Sequence, residues 1–91
     1  MFEYDRSKSA ANLVKHGINF EQAQALWSDD WRLEIASGGG PEHRWLAIGK
    51  IKDRHWTAIY TMRDESIRII SVRRSRANEV RDYAREGRDW Y

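Results

Sequence analysis

With 91 residues, one proline and no cysteine, the chain is expected to form one domain over residues 1–91, with a core simple enough for two layers of secondary structure. The missing cysteines exclude disulfides, thiol nucleophiles and thiolate-bound metals, no apolar run approaches the roughly 18 residues of a membrane span, and Met1-Phe2-Glu3-Tyr4-Asp5 is not a secretion signal; a cytoplasmic protein without membrane contact is expected. The formal net charge of +2 conceals a split, since residues 1–45 carry five Lys/Arg against seven Asp/Glu and residues 46–91 carry eleven against seven. Twelve of the sixteen basic residues are Arg, which favours bidentate pairing with phosphate or carboxylate. A basic half with interleaved aromatics points to nucleic acid or to an acidic protein partner.

In chain order, Phe2-Glu3-Tyr4 alternates and makes a short strand at a sheet edge. Asp5 can accept from the first free amides of a helix, and residues 6–16 read as that helix, with Ala10, Leu13 and Val14 on its apolar face and Gly17 supplying the left-handed residue after its end. Asn19-Phe20-Glu21-Gln22 is a capping box with Asn in place of Ser or Thr, which predicts a second helix over about 20–28 built on Phe20, Ala23, Leu26 and Trp27. Asp29-Asp30 breaks the pattern. With no histidine or third acid at ligand spacing, the pair reads as carboxylates facing water at a helix end, and no metal site is expected. Trp31-Arg32-Leu33-Glu34-Ile35 alternates strictly, a half-buried strand with Trp31, Leu33 and Ile35 inward. The Ser37-Gly38-Gly39-Gly40-Pro41 run that ends it reads as a flexible connection, because neither the helix nor the Lys-Ser/Thr of a P-loop follows.

From Arg44 the pattern is continuous sheet: strands over 44–51, 55–63 and 67–74, with turns at 52–54 and 64–66, an antiparallel meander. Alternation puts Ile67, Ile69 and Ser71 on one face of the last strand and Arg68, Ile70 and Val72 on the other, delivering Arg73 and Arg74 to opposite faces at its end. Arg63 falls at the far end of the neighbouring strand. Arg73-Arg74-Ser75-Arg76 is then either a phosphate site or a solvated charge run at a strand-to-helix turn. After Ser75 a helix places Ala77, Val80, Tyr83 and Ala84 on one face, while Arg81 and Arg85 pair with Glu79, Asp82 and Glu86. Asp89-Trp90-Tyr91 reads as a frayed end whose aromatics are free to dock on a partner. The expected fold class is α+β, two N-terminal helices and a C-terminal helix covering one face of a mainly antiparallel sheet.

Several segments carry a family resemblance: Asp5-Arg6-Ser7-Lys8, Asn12-Leu13-Val14-Lys15-His16-Gly17-Ile18-Asn19-Phe20, Glu21-Gln22-Ala23, the strand from Arg44 to Gly49, Tyr60-Thr61-Met62-Arg63, and Ile67-Arg68-Ile69-Ile70-Ser71-Val72-Arg73-Arg74. Together they resemble the BrnT toxins of type II toxin-antitoxin modules over almost the whole chain, residues 87–91 excepted. Two positions depart from the pattern: Arg6, where proline commonly follows the aspartate, and Val72, where alanine is usual. The resemblance implies a fold similar to RelE ribonucleases and a metal-independent endoribonuclease that needs no cofactor and inhibits translation by cleaving RNA. It further implies neutralisation by a cognate BrnA-like ribbon-helix-helix antitoxin, through which the complex binds operator DNA.

Metal-free RNA cleavage uses the 2′-hydroxyl as internal nucleophile, so the protein must accept one proton, donate one to the leaving 5′-oxygen and stabilise extra charge on the phosphate. Arg63 and Arg73 are the first candidates for the charge, with Arg74 and Arg76 behind them, and Arg68 and Arg76 are expected to bind the nucleic acid. Salt bridges to Asp64, Glu65 or Glu79 are the alternative for Arg74 and Arg76. For proton transfer, His16 sits in a family motif, although a histidine at a helix end is also an ordinary C-capping device. Lys8 and Tyr60 are alternatives, because related toxins use lysine, arginine and tyrosine where classical nucleases use histidine. Trp45 and Trp56 are available on strands for base stacking, although Trp is more often core, and Tyr60, counted with the base contacts, is also a natural core residue. Loss of cleavage in Arg63→Ala or Arg73→Ala, with the fold retained, is expected of an enzyme. The second reading is a non-catalytic nucleic-acid-binding module, or a degenerate toxin that acts as corepressor with its antitoxin.

Overall fold

Two tight turns organise the sheet in the computed structural model, which describes residues 1–38 and 43–86. Ile51 pairs with Arg54 around Lys52-Asp53, and Arg63 pairs with Ser66 around Asp64-Glu65. Lys52 and Asp64 take φ of 59° and 54°, the left-handed turn conformation whose twist matches that of the flanking strands. Because each loop is only two residues, the strands run right up to it: β3 is Arg44–Ile51, β4 is Arg54–Arg63 and β5 is Ser66–Arg74. A short β1 (Phe2–Glu3) pairs parallel with β5, and β2 (Leu33–Ser37) pairs antiparallel with β3, giving the order β1-β5-β4-β3-β2. The second half of the glycine-rich connection, 39–42, and the terminal aromatics within 87–91 lie outside the described residues.

β2 starts at Leu33 and not at Trp31. The cause is Asp29, whose Oδ1 accepts the Trp31 N–H at 2.9 Å while its carbonyl accepts the Arg32 N–H at 3.1 Å, so residues 29–32 form a turn and Trp31 is exposed. Nor does Asp29 merely face water, as the sequence suggested. Its Oδ2 also accepts the Lys50 N–H at 2.9 Å and the Tyr83 hydroxyl at 2.7 Å, which ties the turn to β3 and to the C-terminal helix. Gly49 makes room for this arrangement: a Cβ there would come 3.1 Å from Leu26 Cδ2 and 3.2 Å from Asp29 Oδ2.

The helices begin and end as their caps dictate. Asp5 accepts the Lys8 N–H at 3.0 Å to start α1 (Arg6–His16), and Gly17, at φ 83°, closes it. The Asn19/Gln22 capping box forms in both directions and opens α2 (Phe20–Ala23), which tightens into a 3₁₀ helix over Gln24–Ser28. Phe20, Ala23 and Leu26 bury against Ala47, Ala58, Tyr60, Ile69 and Val72 of the sheet, and this is the core.

The buried face of α1 is not the one its apolar residues predicted. Val14 is 89% exposed and Leu13 42%, and Ala10 is exposed too, whereas Ser9 and Asn12 are buried. Hydrogen bonding explains the inversion. Asn12 Nδ2 donates to the carbonyls of Ile18 (2.8 Å) and Val72 (2.9 Å), its Oδ1 accepts the Val72 N–H (3.2 Å), and Ser9 Oγ accepts the Phe20 N–H (2.9 Å). β1 pairs with β5 at Ile67 and Arg68, so among the described residues no strand covers the outer edge of β5 at Val72, which pairs with Ala58 on its inner side, and the Asn12 amide serves both of its backbone groups.

Simple alternation also fails inside β5. Ser71 pairs with Ile59 and Ile69 with Tyr60, so Ile70 is an inserted bulge residue. Directly opposed residues share a face, which groups Ile67, Ile69 and Val72 with the core and turns Arg68, Ser71 and Arg73 together to the other side. That other side is not bare. α3 (Ala77–Glu86) lies over its Thr57 end, where Thr57 Oγ1 donates to Glu79 Oε1 at 3.0 Å and Tyr83 stacks edge-on against His55. The three helices therefore divide between the two faces and do not share one. Among the described residues no helix is long and apolar enough to cross a membrane.

Candidate nucleic-acid interface

The bulge decides which arginines can act together. Arg73 opposes Thr57, Arg68 opposes Thr61 and Arg63 opposes Ser66, so all three rise from the face away from α1 and α2. Six residues of β4 separate Thr57 from Arg63, about 20 Å at the rise of a strand. Arg63 and Arg73, the first two candidates from the sequence, thus stand at opposite ends of one face, and a single phosphate cannot meet both.

At the α3 end the guanidinium is already engaged. Arg73 Nη1 and Nη2 meet Glu79 Oε1 and Oε2, each at 2.8 Å, a bidentate pair. Glu79, only 5% exposed, also accepts the Arg76 N–H at 2.8 Å and the Thr57 hydroxyl. The Arg73 bond, backed by those two donors, outweighs burial and holds the Glu79 carboxyl down at about 2, while the same bond pushes Arg73 upward. A carboxylate depressed in the folded state stabilises it above its ordinary value near 4.5, and that stabilisation is lost as pH falls through about 2. Melting temperature is accordingly expected to fall between about pH 4.5 and 2, and Glu79→Gln, starting lower, is expected to show a flatter decline; parallel curves would remove Glu79 as the responsible group.

Arg74 emerges on the opposite face, its guanidinium 5.5 Å above the Trp56 ring, an ordinary cation–π contact. Arg76 is exposed just before α3. At the other end of the face, near the β4–β5 turn, Arg68 gives one nitrogen to Glu3 Oε1 at 3.2 Å with both side chains partly exposed, and Arg63 is exposed at the end of β4. Between them lies Thr61, 3% exposed, whose hydroxyl donates to the His43 carbonyl at 2.7 Å.

Of the proton-transfer candidates, Lys8 stands nearest the arginines: its N–H bond to Asp5 and, more weakly, the charge of Arg68 both lower the Asp5 carboxyl. Lys8 lies in the first turn of α1 and His16 in its last, and α1 packs on the core side through Asn12 and Val72. Tyr60 takes the core position that the sequence offered as its alternative. It is buried, its ring edge-on to Trp27 at 5.3 Å, and its hydroxyl donates to Glu34 Oε1. Burial first, and the Glu34 carboxylate second, push the phenol well above its ordinary value, so Tyr60 offers neither an open ring to a base nor an accessible proton acceptor. Trp45 is half-buried against the same core.

Sequence reasoning passed over Arg44, which begins β3 and is exposed. Counting back in steps of two from Ile48 would have placed it on the face of Leu46 and Ile48, opposite Thr61. The missing signal was the register of β3 on β4, since charge alone counted Arg44 with the acidic half. Among the described residues, no group of three or more His, Cys, Asp or Glu gathers as a metal site.

A search of curated proteins finds no significant match. A family model described as the ribonuclease toxin, BrnT, of type II toxin-antitoxin system matches residues 4–79. That span takes in α1 with its Asn12 lock, the whole meander and the Arg73–Glu79 pair. With most of its length matched, the chain belongs to the BrnT family of ribonuclease toxins, whose type II modules pair a toxin acting on RNA with an antitoxin.

Proposed function

We propose that this protein is a metal-independent endoribonuclease that arrests translation, lives in the cytoplasm and is neutralised by a BrnA-like ribbon-helix-helix antitoxin that carries the complex to operator DNA. The family match over residues 4–79 carries the reading. Its fold is taken to be RelE-like. RNA lies across the sheet face away from α1, with Arg63 and Arg68 as the principal phosphate ligands near the β4–β5 turn. Arg73 holds α3 in place through Glu79, and Arg74 and Arg76 add to the positive field that draws in the strand.

Attack of a 2′-hydroxyl on the adjacent phosphorus forms the new P–O bond as the bond to the 5′-oxygen breaks. One proton leaves the 2′-oxygen and one arrives at the 5′-oxygen, and the products are a 2′,3′-cyclic phosphate and a 5′-hydroxyl. Guanidiniums held at the non-bridging oxygens stabilise the added charge of the transition state. Lys8 and His16, both on α1, are given no step in this scheme.

Incubating the protein with RNA in EDTA, with and without ribosomes, and mapping the ends tests it. Fragments ending in 2′,3′-cyclic or 3′-phosphate are expected, together with growth arrest on expression without antitoxin. Intact RNA under both conditions would overturn the enzymatic reading, and salt-dependent binding without turnover would favour a corepressor.

A further inference from the structure

We infer that Arg44, Arg63 and Arg68 form a single phosphate-binding site over Thr61, with Arg44 the third ligand of one RNA phosphate; this rests on the RNA-cleaving reading above. Trp45 opposes Tyr60 in the register of β3 on β4, so the preceding residue, Arg44, falls opposite Thr61, and Thr61 in turn opposes Arg68 on β5. The three residues form one row across three adjacent strands, with side chains on the same face. Neighbouring strands lie about 4.8 Å apart, which places Arg44 and Arg68 on either side of Thr61 with their Cα atoms about 10 Å apart; Arg63, two residues further along β4, is about 6.6 Å from Thr61 on the same face. Three long side chains can therefore converge above one point.

The surroundings suit a ligand at that point. Thr61 is buried and its hydroxyl is spent on the His43 carbonyl, giving a fixed floor that does not compete for the guanidiniums. Arg44 is exposed and makes no ion pair among the described residues. Arg68 uses one of its five donors on the partly exposed Glu3, an exchangeable surface pair, where Arg73 is held by two bonds to a buried carboxylate. Glu3 and the turn residues Asp64 and Glu65 border the row, and an incoming phosphodiester takes the place of Glu3 on Arg68. A tetrahedral phosphate has non-bridging oxygens for more than one planar fork, which is the geometry that arginine serves and lysine does not.

The test measures binding of a fluorescein-labelled 2′-O-methyl RNA oligonucleotide, which has no nucleophilic hydroxyl, across a series of potassium chloride concentrations. Arg44→Ala, Arg63→Ala and Arg68→Ala are each expected to weaken binding about tenfold at low salt and to lower the salt slope by up to about 0.7, with unchanged melting temperature. Arg44→Lys is expected to recover less than half of the loss on a logarithmic scale. Arg81→Ala, which removes the same charge from the exposed side of α3, is expected to shift affinity less than threefold. If one phosphate is shared, the Arg44→Ala/Arg68→Ala double variant departs from the product of the single effects. Wild-type affinity in Arg44→Ala, an Arg81→Ala effect of equal size, or strictly multiplicative double-variant losses would each overturn the shared site. Because the oligonucleotide cannot be cut, these outcomes are independent of turnover: a protein that binds as described yet leaves natural RNA intact defeats the enzymatic reading alone.

Discussion

Arg63→Ala is expected to reduce RNA cleavage by about 10²- to 10³-fold, the typical loss on removing one preorganised donor to transition-state charge, and to leave the melting temperature where it was. Arg63 is exposed at the end of β4, so its side chain supports no part of the core. Arg73→Ala is expected to behave in the opposite way. That substitution strands the Glu79 carboxylate, 5% exposed, with only the Arg76 N–H and the Thr57 hydroxyl as donors. Removing one partner of a buried ion pair costs about 3 kcal/mol, a large share of the stability of so small a domain. The sequence put these two arginines on an equal footing, as residues whose loss silences activity and spares the fold; the bidentate bond to Glu79 separates them. Single-turnover cleavage rates and thermal melts of the two variants, taken side by side, distinguish the roles. Full activity in Arg63→Ala, or an unchanged melting temperature in Arg73→Ala, would reverse the assignment.

What the sequence conveyed and what it hid follow one physical divide. Helix ends and hairpins depend on residues close in the chain, and they were legible: the Asp5 and Asn19 caps, Gly17, and the strand bounds of β3. Long-range partners were not. Val14 and Leu13 mark an apolar face by periodicity, yet α1 turns Ser9 and Asn12 inward because a sheet edge and a following loop need donors and acceptors. Asp29 looked like a solvated helix end, since the Lys50 amide and the Tyr83 hydroxyl that it receives lie 21 and 54 residues away. The Ile70 bulge had the largest consequence for the site. One inserted residue moved Val72 into the core and placed Arg68 on the same face as Arg73, where uninterrupted alternation had set them apart. Arg44 became visible only when the register placed it opposite Thr61.

Asn12→Ala is expected to cost about 3 kcal/mol or more and to lower the melting temperature by over about 10 °C. The wild-type amide makes three bonds, donating to Ile18 O and Val72 O and accepting from Val72 N. With the side chain gone, the two backbone groups of Val72 face a buried gap at the edge of β5, and the Ile18 carbonyl loses its donor in the loop that carries the chain into α2. Each buried group left unpaired costs about 1–3 kcal/mol, so the losses add even if water recovers one of them. Asn12→Asp separates hydrogen bonding from shape: it keeps the acceptor for Val72 N but sets a carboxylate oxygen against two carbonyls, and it is expected to be at least as damaging as alanine at neutral pH. Val14→Ala, two residues along the same helix and 89% exposed, is expected to change stability by less than about 0.5 kcal/mol. If Asn12→Ala melts like wild type, or if Val14→Ala proves the more harmful, then α1 is held by its apolar residues after all and the polar lock on β5 is not what fixes it.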